Sequence, residues 1–376
     1  MKTFRCWIID CILLFVLPLL LPSLPGCSKK TPETKEIKIG AILPLTGDNA
    51  KYGIWIQEGL NLCVDQVNST GGIQGKRLAI IYEDDQTEPQ KAVAAMRKLA
   101  QVDKVPVVFG SWASSCVLAQ APIAEKNHTV VMAQAISPKI RFAGDYVFRC
   151  IPDANHSLST LVPFAIKKGV RKAASIYVNN DYGKDQAEVF KNKIVASGGE
   201  IVFEEGYDSE ITDFRTILSK VRGLTIDAVY LPGYTEVGLI LRQMKELGIH
   251  CQVYSSDPFE NEEILRIAGD AAEGVFYPSF FVAAESTAEV RRFIDTYKSR
   301  YGRDPESNAA LAYNGLKIIL EAIRKGGVEP KAIKESLYQF KNYQATLGTI
   351  TIDSYGDMTL PVYIKAVQNG VFILAE

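Results

Sequence analysis

The sequence predicts an α/β fold of two lobes, each built on a parallel sheet, and three observations carry that prediction. From Ile37 onward, short apolar runs alternate with amphipathic helical stretches. Successive strand and helix signals at this spacing make right-handed βαβ units, with a parallel sheet covered on both faces. The rhythm restarts near "DYVFRCIPDANHS", residues 145–157, and gives a second α/β set of similar size. The chain has 376 residues, enough for roughly two domains at one per 150.

Taken in order, "IKIGAILPL" reads as a strand, Lys51–Asn68 as an amphipathic helix, and "KRLAIIYEDD" as a strand ending in acids. Pro89–Val102 reads as a helix, its "AVAAMRKLA" following the 3.6-residue period. "VPVVFG" is a strand, Ser114–Lys126 a helix and "TVVMAQA" a strand. In the second set, "KAASIYVNND", "EIVFEEGY", "IDAVYLPG", "CQVYSSD" and "GVFYPSF" are strands. Between them, helices are predicted over Tyr182–Ala196, Phe214–Val221 and Glu236–Leu247. Two long helices near Ala288–Tyr301 and Asn308–Lys325, then short strands, complete the chain. That tail is too small to stand alone, so the chain is expected to cross between lobes more than once. Parallel crossovers make a hinge, and a hinged cleft between α/β lobes can close on a ligand.

Composition is that of an ordinary globular protein, 47% apolar and 23% charged. The formal charge of −1, from 42 basic and 43 acidic residues, builds no basic face for nucleic acid. The N-terminus differs. Lys2 and Arg5 precede "CILLFVLPLLLPSLPGC", a charged region and a short, proline-broken apolar run that read as a signal peptide rather than a spanning helix. Its end, "LPGC", resembles a bacterial lipobox, which makes Cys27 the residue to be lipidated and "SKKTPETKE" a tether to the membrane. Cys63, Cys116, Cys150 and Cys251 remain in the mature chain at irregular spacing, and both disulfides and buried free thiols stay open for them.

The motifs "IKIGAILPLTGDNAKYG", "GLNLCVDQVNSTGGIQGKRLAIIYEDDQTEPQKAV", "GSWASSCVLAQAPIAEK", "SPKIRF", "VFRCIPDA", "NNDYGKDQAEVF", "DAVYLPGYTEVGLILRQMKELGI" and "AGDAAEGVF" run through the chain in that order. With them the sequence resembles the solute-binding proteins of ABC importers for branched-chain and related amino acids, of the Leu/Ile/Val-binding type. The resemblance covers essentially everything after the tether. It implies a periplasmic-binding-protein type I fold, two Rossmann-like lobes joined by a three-crossover hinge near residues 150, 280 and 357. The expected organisation is a signal peptide over 1–26 and a lipid-anchored tether over 27–36. Lobe 1 is expected over 37–150 plus 281–357, and lobe 2 over 151–280 plus 358–376.

Within that frame Ser114 is expected to cap the helix after "VPVVFG" at the carboxyl edge of its strand, where open α/β sheets bind ligands. A helix start attracts a carboxylate, and the resemblance makes Ser114 the residue that binds the ligand's α-carboxylate. Asp257, after "YSS", matches the acidic position that pairs with the ligand ammonium; a helix N-cap before Pro258 is its structural alternative. Tyr182, Tyr234 and Tyr52 match aromatic positions that line the cleft, and Trp112 is expected at its lip. Ala135 and Ile136 offer backbone groups to the ligand. Two positions depart from the family. Ile136 stands where a threonine hydroxyl is usual, and Trp112 where a smaller apolar residue is usual; Gln134 is also unusual, and its amide is a candidate for meeting a polar ligand.

A hydrolase at Ser114 or Cys116 would need a base, and His128, His156 and His250 fall in no triad pattern. "GSWAS" also lacks the second glycine of a nucleophile elbow. The acids of "EDDQTE" are explained by a strand end and a helix start without a metal. The expectation is therefore a monomeric, non-enzymatic receptor in the periplasm or at the cell surface. It needs no cofactor or metal, binds no nucleic acid, is held to the membrane by lipid, and delivers an amino acid or analogue to an inner-membrane ABC permease. A ligand sensor without a transport role is the alternative within the same fold.

Overall fold

The computed structural model describes residues 36–283 and 287–375, so the predicted signal peptide, Cys27 and nearly all of the tether lie outside the described residues. The first sheet holds β1 (Ile37–Leu43), β2 (Leu78–Asp84), β3 (Val107–Gly110), β4 (Val130–Ala133) and β5 (Val147–Arg149). They are all parallel, in the order β2-β1-β3-β4-β5. Helices α1 (Ala50–Ser69), α2 (Pro89–Arg97) and α3 (Ser114–Asn127) connect them. The helix predicted over 89–102 is α-helical only to Arg97 and continues as a five-residue π-helical turn, Lys98–Val102.

Helix α4 (Ala154–Lys167) leads into β6 (Lys172–Val178), α5 (Asp181–Ala196), β7 (Glu200–Tyr207), α6 (Arg215–Arg222) and β8 (Ala228–Leu231). These are followed by α7 (Val237–Glu246), β9 (Gln252–Ser255), α8 (Glu262–Ala268) and β10 (Phe276–Ser279). Then come α9 (Ala288–Tyr301), α10 (Ser307–Gly326), α11 (Pro330–Tyr338) and a small hairpin of β11 (Tyr343–Ala345) and β12 (Gly348–Ile350). Strands β13 (Tyr363–Gln368) and β14 (Val371–Leu374) close the chain on the second sheet, whose order is β14-β13-β10-β9-β8-β6-β7.

The second sheet is mostly parallel, as expected, and adds an antiparallel edge. Its β13 and β14 edge is antiparallel, both to β10 and within itself. The β13–β14 pairing has a local cause, the two-residue turn Asn369-Gly370, with both residues at positive φ. Such a turn matches the twist of a hairpin and reverses the chain in place.

Helix α10 is buried almost all round, as a helix enclosed by neighbours must be. It meets α1 at Gly59, where a Cβ would fall 2.2 Å from the Ala309 carbonyl oxygen. The two backbones touch there, and only glycine permits it. Gly59→Ala should therefore overpack the contact, cost about 1–3 kcal/mol and lower the thermal midpoint. An unchanged midpoint in a melting scan would show that the helices separate without penalty.

Candidate functional site

In each sheet one central strand has neighbours reached in opposite winding directions: β1 lies between β2 and β3, and β6 between β7 and β8. Crevices open at the carboxyl ends of strands at such points. Loops leaving those ends, from both sheets, meet around one small cavity. The first lobe contributes Trp112, Ser114, Gln134, Ala135 and Ile136; the second contributes Tyr182, Tyr234, Asp257 and Pro258. Tyr52 stands just behind, its hydroxyl donating across the lobes to the Pro258 carbonyl at 3.0 Å.

Ser114 occupies the first helical position of α3, not the cap. Ala113, in extended conformation, holds the cap place with no side-chain bond. The Ser114 hydroxyl instead accepts the Ser137 N–H at 3.2 Å. Accepting that bond leaves its own proton available to donate, beside the helix's first N–H groups.

Asp257 is the first residue of a short 3₁₀ turn whose cap is Ser256, so the N-cap alternative does not hold for it. Its Oδ1 is buried without a hydrogen-bond partner among the described residues. Withdrawal from water pushes its carboxyl up to about 7, with Glu260 adding to the shift. A carboxylate held this way is poised for a cation. One end of the cavity thus offers donors, and Asp257 offers a bare acceptor.

The aromatic side chains form a continuous series of ring contacts. Tyr52 lies flat on Trp112 at 4.5 Å and 12°, and Trp112 meets Tyr234 at 5.1 Å. Tyr234 in turn stacks on Tyr182 at 5.1 Å and 17°. Trp112, expected at the lip, is only 7% exposed and sits between rings of both lobes. Two of the tyrosine hydroxyls are engaged with protein: Tyr182 with Ser256, and Tyr234 with the Asn180 amide at 3.2 Å. Ile136 is buried at the cavity wall, and its carbonyl accepts the Ala154 N–H at 2.9 Å.

Sequence reasoning missed a second set of residues that ties the cleft together. Ser137 Oγ bonds to Asp185, on α5 of the opposite lobe, and Lys139 pairs with the same carboxylate at 2.7 Å. The Ser137 carbonyl accepts from Arg149 Nη1 at 2.9 Å. Arg149 is fully buried, and its Nε donates to Asp357, between β12 and β13, at 2.7 Å. An acid one helical turn after Tyr182 was the available signal for Asp185, since i and i+3 share a face.

Cys63, Cys116, Cys150 and Cys251 are all free thiols. Burial pushes the Cys116 thiol well above its ordinary range, with Asp85 adding to it. The acids of "EDDQTE" are engaged locally: Asp84 accepts the Leu45 N–H at 2.8 Å, and buried Asp85 accepts from Ser111 and the Thr87 N–H. No helix among the described residues is long and apolar enough to cross a membrane.

Comparison with known proteins adds kinship to this geometry. The family described as periplasmic binding protein matches residues 36–370. The Leu/Ile/Val-binding protein homolog 1 of Brucella suis biovar 1 is 28% identical over 338 residues, 88% of this chain and 89% of that protein. A leucine-binding protein of Thermotoga maritima MSB8 superposes with a TM-score of 0.86 at 27% identity, covering 90% of this chain and 98% of the other. A branched-chain amino acid transporter substrate-binding protein of Streptococcus pneumoniae, solved with isoleucine, gives 0.84 at 28% identity over 91% and 99%.

Proposed function

Because the chain belongs to the periplasmic binding protein family, we propose that it is an extracytoplasmic receptor that closes on an amino acid or close analogue and presents it to an ABC importer. One observation carries this reading. In a single interlobe cavity, the start of α3 with Ser114 lies on one wall, and the buried Asp257 Oδ1, without a partner among the described residues, belongs to the other. A zwitterion satisfies both. Its carboxylate takes the Ser114 hydroxyl and helix N–H groups, while its ammonium neutralises Asp257.

Closure follows from the same division of labour, since only a ligand touching both lobes favours the closed state. We assign residues 37–150 and 281–357 to the lobe bearing Ser114, and 151–280 and 358–376 to the lobe bearing Asp257. Trp112, Tyr52, Tyr182 and Tyr234 wall the ligand, Ala135 and Ile136 border it, and Cys27 carries the lipid that holds a monomer near its permease. The kinship with binding proteins for leucine, isoleucine and valine supports the transport role. A catalytic role is disfavoured by the buried, protonated Cys116 and by a Ser114 hydroxyl bonded to backbone rather than to a base.

The test is a thermal-shift screen of the purified protein against the standard amino acids. A ligand at 100 times its Kd should add about 2.7 kcal/mol of stability, raising the midpoint by several degrees. A screen in which no amino acid moves the midpoint contradicts the proposal.

A further inference from the structure

Resting on that reading, we infer that the solute is a compact amino acid whose side chain ends in a hydrogen-bond donor, a hydroxyl or an amide, with Gln134 reading the donor and Trp112 limiting the size. The first ground is a second orphaned acceptor. Gln134 is 2% exposed and borders the cavity, and its Oε1 has no partner among the described residues. Its amide orientation is determined by the other end. Nε2 donates to Asn308 Oδ1 at 2.9 Å and also meets the Asn308 backbone carbonyl at 3.4 Å, which can only accept. The amide oxygen is therefore the atom left over.

Buried polar atoms are nearly always bonded, and an exception at a ligand cavity marks what the ligand must bring. Asp257 and Gln134 both present acceptors. The ammonium of an amino acid answers Asp257, and a further donor is needed for Gln134. Leucine, isoleucine and valine side chains hold none.

Size is the second ground. The enclosed space has room for little more than a water molecule as the lobes stand. Trp112 is clamped between Tyr52 and Tyr234, with Tyr182 stacked beyond. A ring stacked on Tyr52 and held against the tilted ring of Tyr234 cannot swing aside to admit a branched aliphatic side chain without breaking those contacts. Trp112 and Gln134 thus act together. One removes apolar room, and the other supplies a polar contact.

Calorimetric titration of the full-length protein with L-serine, L-alanine and L-leucine tests this. Serine and alanine differ by one hydroxyl, so serine should bind at least about tenfold tighter, and leucine weaker than either. In Gln134→Leu the serine-to-alanine ratio should fall toward one; a ratio taken within one variant is insensitive to any general loss of stability. In Trp112→Leu, leucine should gain at least about tenfold relative to alanine. Serine and alanine binding equally, or leucine binding as tightly as serine, overturns the inference and leaves the receptor reading standing. If none of the three binds and the wider amino-acid screen is also silent, both fall.

Discussion

Asp257→Ala should abolish most of the affinity for the amino-acid ligand. Truncating one partner of a buried, hydrogen-bonded charge pair costs about 2–5 kcal/mol, which is on the order of 30-fold to several thousandfold in Kd. The deaminated analogue has no ammonium to lose, so it should bind the variant no worse than it binds the native protein. Titration calorimetry with both ligands separates the cases, and equal losses would refute the assignment.

The same residue sets a pH dependence whose sign follows from its environment. Burial pushes the Asp257 carboxyl up to about 7, while an ammonium partner favours the ionised form and lowers it. Binding therefore releases a proton. Affinity should be full above about pH 7 and fall as pH drops below it, by at most about tenfold per unit. Asp257→Asn should remove that dependence, and affinity flat between pH 5 and 8 in the native protein would contradict it.

The second large effect lies at Arg149, which contacts no part of the cavity. Its side chain is fully buried, bonded to Asp357 and to the Ser137 carbonyl. Removing the cation leaves the buried Asp357 with only the longer contact to Arg141 Nε at 3.6 Å, and breaking a buried pair in this way costs about 3–5 kcal/mol. For Arg149→Met this corresponds to roughly 10 °C of thermal midpoint. Burial already pushes the Asp357 carboxyl up, and Arg149 opposes that shift; without the arginine the carboxyl rises further. A carboxyl raised above its unfolded value costs stability as pH climbs from the unfolded toward the folded value. The loss should accordingly be greatest above neutral pH and shrink toward pH 4. Pairing Arg149→Met with Asp357→Leu should recover most of it. A double variant no more stable than the single one would mean that Arg149 acts through Ser137 instead.

Ser137 links this hinge pair to the cleft. Its N–H reaches Ser114, its hydroxyl reaches Asp185 across the lobes, and its carbonyl holds Arg149. The loop that borders the ligand is thus braced from the hinge and latched to the opposite lobe by one residue.

Much of this was legible in the sequence, for physical reasons that differ by element. The strands and helices of both sets announced themselves because burial on two faces writes apolar runs, and amphipathic packing writes the 3.6-residue period. Ser114, Tyr182, Tyr234 and Asp257 were legible because each follows directly on a strand end, so local position specifies its place. What periodicity cannot encode is pairing at long range. Gln134 meets Asn308 from 174 residues away, and Arg149 meets Asp357 from 208. Trp112 was read as a lip residue because its stacking partners come from two distant segments. Ser114 was misplaced by one position, since cap and first turn differ only in the backbone angles of Ala113. The antiparallel edge had a local signal, the Asn369-Gly370 pair, that the repeating α/β rhythm overshadowed.

The most direct test of a cleft that clamps a zwitterion is calorimetry of the purified protein with L-serine, with its deaminated acid and with its decarboxylated amine. One-to-one binding of serine, with each half-molecule at least about hundredfold weaker, is the predicted result. Serine bound no better than either half would contradict it.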